Sequence, residues 1–166
     1  MIKGLHHNAY RCRDSEETRR FYEDFLGLRL ACTLRIGETK TGRLTDALHT
    51  FYEMDDGSFL AFFEAPDQPF EFKQQADYDL HIALEVERDA LPRMLAKGKE
   101  AGIETRGISD HRFIESIYFR DPNGYVIELT AKVPGQEAAT DPARSDARAL
   151  LEQWQCDKQS SESAAE

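Results

Sequence analysis

One plan is written twice along this chain, and that duplication limits the available folds more than any other feature. The stretch "LHHNAYRCRDSEETRRFYEDFLGLRL" (5–30) reads as a strand, a polar break, a helix and a glycine stop. The stretch "LHIALEVERDALPRMLAKGKEAGI" (80–103) runs through the same order. His7 precedes Gly27 by 20 residues, and His81 precedes Gly102 by 21. In the first copy Asp14, with Glu17 three residues on, suits a helix N-cap; Phe21, Tyr22 and Phe25 form the apolar stripe. In the second, Asp89 starts the helix and Pro92 is tolerated in its first turn.

Short β-like runs follow each glycine. The first copy has "HTFYEM" and "FLAFFEAP", joined by "DDGS". The second has "IETRGI", then "ESIYFR" and "YVIELTAK", joined by "DPNG". Each half therefore predicts a βαβββ module, about 4–66 and about 78–131, within a single α+β domain spanning 1–133. The polar stretch 36–46 reads as a loop and 67–78 as the linker. Beyond residue 133, "SDARALLEQWQ" predicts a short amphipathic helix with Ala147, Leu150, Leu151 and Trp154 on one stripe, packed on its own domain or on a twin subunit. The final ten residues lack bulky apolar side chains and read as a disordered tail.

Composition excludes some partners. With 21 basic and 31 acidic residues the net charge is −10, so no clustered cationic surface is expected for nucleic acid or an anionic membrane. The N-terminus has no apolar signal core, and the apolar runs are strand-sized. Three cysteines, Cys12, Cys32 and Cys156, show no CxxC pairing and read as reduced thiols in a cytoplasmic protein.

Strand alternation sorts the side chains that could do chemistry. In "HIALEV", Ile82, Leu84 and Val86 take the helix-facing side, leaving His81, Ala83 and Glu85 on the other. His7, Ala9 and Arg11 likewise oppose Asn8, Tyr10 and Cys12. Glu128 lies with Val126 and Thr130, and Glu64 with Phe62. If the two sheets face each other, two imidazoles and two carboxylates could converge. Two histidines and one carboxylate suit non-haem Fe(II), while a fuller N/O set suits Zn, Ni or Co. At this level His6 competes with His7 as the first ligand.

Taken together, "LHHNAYRCRDSEETRRFYEDFLGLRL", "HIALEV" and "YFRDPNGYVIELT" give the chain a resemblance to the vicinal oxygen chelate superfamily. That superfamily groups glyoxalase I, extradiol ring-cleaving dioxygenases, fosfomycin-resistance enzymes and bleomycin-binding proteins. The resemblance covers roughly residues 4–131. It implies paired βαβββ modules cupped around a divalent metal, with His7, His81 and Glu128 as ligands. His7 is preferred because it lies seven residues before Asp14, as in the family pattern. Fe(II) is the favoured ion, with Ni, Co, Zn and Mn as alternatives. Glu64 matches the place where glyoxalase I supplies a fourth ligand. Tyr118, ten residues before Glu128, resembles the tyrosine with which extradiol enzymes hydrogen-bond a metal-bound catecholate. The acid/base histidine of those enzymes has no equivalent, since Ser58 and Phe59 stand there; His49 and His111 are its possible substitutes.

Three functions follow as expectations. The favoured one is an extradiol dioxygenase, with Tyr118 stabilising a chelated catechol. The second is a glyoxalase-type lyase, in which Glu64 or Glu128 moves a proton on a hemithioacetal while Arg11 and Arg13 hold carboxylates. The third is a module that sequesters a small molecule without catalysis. A homodimer is expected from the resemblance, and stretches 36–46 and 108–116 are expected to shape the pocket.

Overall fold

The computed structural model describes residues 1–74 and 76–163. Each half is βαβββ. The first holds β1 (His7–Arg11), α1 (Ser15–Arg19), β2 (Arg29–Glu38), β3 (Leu44–Glu53) and β4 (Phe59–Glu64). The second holds β5 (His81–Glu85), α2 (Ala90–Glu100), β6 (Thr105–Asp110), β7 (Ile114–Arg120) and β8 (Val126–Lys132). Two more helices follow, α3 (Gln136–Thr140) and α4 (Ala147–Ser163). Each module makes its own four-stranded sheet, in order β1-β4-β3-β2 and β5-β8-β7-β6, with the first strand parallel to the last.

Local chemistry explains the elements. Asp14 is extended and its carboxylate accepts from the Glu17 N–H at 2.8 Å, capping α1. After Arg19 the helix widens into a π-helical turn, Arg20–Phe25, where the Leu26 N–H reaches back to the Phe21 carbonyl. That wider turn carries Phe21, Tyr22 and Phe25 inward together. Gly27 and Gly102 take left-handed backbone just past their helices, as the glycine stops predict. Asp89 departs from expectation: it makes no capping bond and pairs with Arg93 instead. The supposed loop 36–46 is largely a long hairpin, since β2 runs to Glu38 and β3 begins at Leu44.

One core joins the two modules. Phe25 meets Phe119 edge-on at 5.2 Å, and Tyr22, fully buried, donates to Asp121 at 2.9 Å. Burial raises the Asp121 carboxyl above the usual carboxylate range, although hydrogen bonds from its neighbours oppose the shift. In the turn before β8, Asn123 accepts from the Arg13 N–H at 2.8 Å and donates to Thr18 Oγ1 at 3.2 Å. The modules therefore dock through their helices and turns, and among the described residues no strand of one sheet pairs with the other.

The C-terminal expectation needs correcting. α4 extends to Ser163, through most of the supposed disordered tail, and residues 164–166 lie outside the described residues. Its stripe does not pack on its own domain: Leu150, Leu151 and Trp154 stay 60, 53 and 62% exposed. Among the described residues no helix is long and apolar enough to cross a membrane.

Candidate metal centre

β5 and β8 run parallel with His81 beside Val126 and Ala83 beside Glu128. Pleating puts His81 and Glu128 on the same face, and His81 Nε2 lies 3.3 Å from Glu128 Oε2. The Asp77 carbonyl meets His81 Nδ1 at 2.5 Å. A carbonyl only accepts, so Nδ1 carries a hydrogen, and in the neutral ring Nε2 presents its lone pair on the side of Glu128. That is the arrangement by which an outer hydrogen bond orients a metal-binding imidazole.

Glu128 is buried, with 5% exposure. Ser116 Oγ donates to its Oε1 at 2.5 Å, and the Tyr118 hydroxyl lies 3.4 Å from the same oxygen. The Tyr118 hydroxyl also lies 2.8 Å from His111 Nε2, which accepts from the phenol or donates to it according to the imidazole tautomer. Burial, then the Glu128 charge, raises the Tyr118 pKa, so the phenol keeps its proton at neutral pH. Arg106 sits over the Tyr118 ring, 4.4 Å from its centroid, and pairs with Asp77. These side chains open into a cleft of about 570 Å³ that Asp110, Arg112, Phe113 and Ile114 also line. The pocket-shaping role expected of 108–116 is thus consistent with where that turn lies.

The donor set fits a divalent cation. A buried carboxylate beside an imidazole nitrogen is a seat for positive charge, and both atom types suit Fe(II), Mn(II) or Zn(II). His6 and His7 bring their Nδ1 atoms to 2.7 Å of each other on the first sheet. The structure does not bring His7 to His81 and Glu128. Among the described residues no three His, Cys, Asp or Glu side chains gather as a metal site. Convergence of the four expected ligands therefore does not occur within one chain.

Glu64 is a correction. Register aligns Phe51 with Ala61 in the first module and Tyr118 with Glu128 in the second. The counterpart of Glu128 is thus Ala61, four residues after the turn glycine Gly57 as Glu128 is after Gly124. Glu64 lies three positions further on, and an odd offset turns it to the opposite, helix-facing side. There its Oε2 accepts from the Ser15 N–H at 2.7 Å, at the start of α1. Arg11 and Arg13 are engaged elsewhere too: Arg11 donates to the Ala65 and Gln68 carbonyls, and Arg13 to the Pro122 carbonyl. Sequence reasoning missed Ser116, although it lies two residues before Tyr118 and therefore on the same face. The Asp77 carbonyl left no side-chain signal to find.

Comparisons with known proteins agree with this architecture. The family model described as the Glyoxalase/Bleomycin resistance protein/Dioxygenase superfamily matches residues 4–129. No curated protein matches the chain. Among solved structures, a mutant of the fosfomycin resistance protein FosX from Listeria monocytogenes, complexed with Mn(II) and 1S,2S-dihydroxypropylphosphonic acid, is 22% identical with a TM-score of 0.61, covering 84% of this chain and 100% of that one. A glyoxalase/dioxygenase from Nostoc punctiforme is 23% identical with a TM-score of 0.60, covering 79% and 92%. FosX from Mesorhizobium loti is 21% identical with a TM-score of 0.60, covering 82% and 98%. At these identities the likeness is one of fold.

Proposed function

The chain belongs to the glyoxalase/bleomycin resistance protein/dioxygenase superfamily, and from that premise we propose that it is a metal-dependent extradiol-type dioxygenase acting on a catechol-like small molecule. The observation that carries the reading is the grouping of His81, Glu128 and Tyr118 around one cleft. His81 and Glu128 would hold the ion, with His7 as third ligand from a second copy of the chain. A divalent ion held there supplies Lewis-acid polarisation of two adjacent substrate oxygens. The Mn(II) in the FosX complex supports the capacity of this fold for such an ion, and the two-histidine, one-carboxylate set favours Fe(II).

The chain's own groups have distinct tasks. Ser116 fixes the orientation of the Glu128 carboxylate, and the Asp77 carbonyl fixes the His81 ring. Tyr118 presents a protonated phenol to the cleft, placed to hydrogen-bond a substrate oxygen, and His111 links that phenol to the solvent-facing mouth. With Ala61 where a fourth ligand, the second carboxylate, would stand, three protein ligands would leave room for both substrate oxygens and for O2. That argues against the four-ligand glyoxalase reading.

Exposure of the two histidine faces supports a second copy. His7 and His81 each sit exposed on the outer face of their own sheet, while the opposite faces pack the shared core. Leu5, Leu34, Ile108 and Phe113 leave apolar surface exposed beside them. In a two-fold dimer the first module of one chain can cover the second module of the other, giving two identical sites.

Anaerobic purification, metal analysis and parallel assays test the function. The reading predicts oxygen uptake with catechols on Fe(II)-loaded protein. Hemithioacetal isomerisation without O2 would transfer the protein to the lyase class. A protein that takes up no metal and binds ligand regardless of His81→Ala would be the sequestering module.

A further inference from the structure

Resting on that reading of a shared metal site, we propose that His49 is a further substrate-contacting residue, its Nε2 accepting a hydrogen bond from a hydroxyl of the bound molecule. His49 pairs with Phe63 on β4 and Leu34 on β2, on the sheet face that carries His7, Phe51 and Ala61. The His7 and His49 ring centroids lie 6.4 Å apart. Matching the modules strand for strand, His49 is the counterpart of Ser116, the residue whose hydroxyl reaches Glu128. An imidazole at that strand position reaches further from the sheet than a hydroxymethyl group does.

The ring is locked before any ligand arrives. Its Nδ1 lies 3.0 Å from the Phe62 carbonyl, so Nδ1 donates and Nε2 holds the lone pair. Phe63 stacks on it at 3.6 Å between centroids and 8° between planes. His49 is only 7% exposed, yet among the described residues nothing hydrogen-bonds its Nε2. Nε2 is not closed off from solvent, since the buried polar atoms without a partner are Arg11 Nε, Thr50 Oγ1 and Tyr52 Oη among the described residues; a donor arriving on this face can therefore reach its lone pair. Desolvation also lowers the imidazole pKa, which keeps the ring neutral and accepting at neutral pH. Phe51 and Phe59, half-buried on the same face, give the donor an apolar wall. The ligand class that fits is a small hydroxylated molecule with an aromatic or otherwise apolar body.

The test uses the full-length Zn(II)-loaded protein, which binds without turnover, and 4-nitrocatechol followed by visible absorption. His49→Phe keeps the stacked ring and deletes the acceptor; His49→Gln returns an acceptor at nearly the same reach. His49→Phe is expected to weaken probe binding about tenfold, the worth of one neutral hydrogen bond. His49→Gln should recover most of that loss, with zinc content unchanged in both. In wild-type protein carrying ¹⁵N-histidine, the His49 Nε2 resonance should shift when the probe binds, which decides the matter even if His49→Phe fails to fold. Equal affinities and an unmoved resonance overturn the role of His49 while leaving the metal site standing. Zinc loss in both variants would make His49 a ligand and also overturns it. Failure of wild-type protein to bind zinc or probe overturns the reading underneath.

Discussion

Ala61 and Glu64 are three residues apart on one strand, and the pleat assigns them to different chemistry. Ala61 faces outward with His7, whereas Glu64 faces inward and caps the start of α1 through the Ser15 N–H. Glu64→Gln is therefore expected to leave metal content unchanged. It should lower stability by only about 0.5 kcal/mol, because the amide oxygen still accepts but the charge at the helix start is gone. Metal analysis and thermal unfolding check both halves of that statement. Tyr118 is the opposite case. Under the proposed function Tyr118→Phe removes the donor to a substrate oxygen and is expected to cut kcat by about 10²-fold. Steady-state kinetics with the metal content held constant would measure it.

Between elements, the turn before β8 ties the modules together. Asn123→Ala leaves the Arg13 N–H without its acceptor and Thr18 without its donor, for a loss of about 1–3 kcal/mol in denaturant unfolding. Gly124, one residue on, is left-handed at φ 95°, and an added Cβ would meet the Lys73 carbonyl at 2.7 Å. Gly124→Ala should therefore destabilise the fold more than Asn123→Ala does. Much at this scale was legible in the sequence. Period-two alternation put His81 opposite Ile82 and Leu84, and the glycines Gly27 and Gly102 ended their helices where spacing placed them. Glu64 is carried over from the resemblance as the place of a fourth ligand, without counting from the turn. "DDGS" and "DPNG" set the register, and counting from them lands on Ala61. The widened turn after Arg19 was not legible, because i→i+5 pairing reflects tertiary demand for burying Phe21, Tyr22 and Phe25 together.

For the whole molecule, the docking of the two modules decides which faces stay open. Local pattern says that each sheet has an inner and an outer face, but not that the inner faces share a core within one chain. That outcome depends on contacts far apart in sequence, such as Tyr22 with Asp121 and Phe25 with Phe119. It separates His7 from His81 and Glu128, so the proposed site draws its third ligand from a second copy. The most direct measurement is complementation between His7→Ala and His81→Ala. Each variant alone should hold no stoichiometric metal. After subunit exchange at equal amounts, half the dimers are mixed, and each mixed dimer regains one intact site of two. Metal content should then return to about a quarter of the wild-type value. A mixture that stays as empty as either variant alone would contradict a site shared between copies.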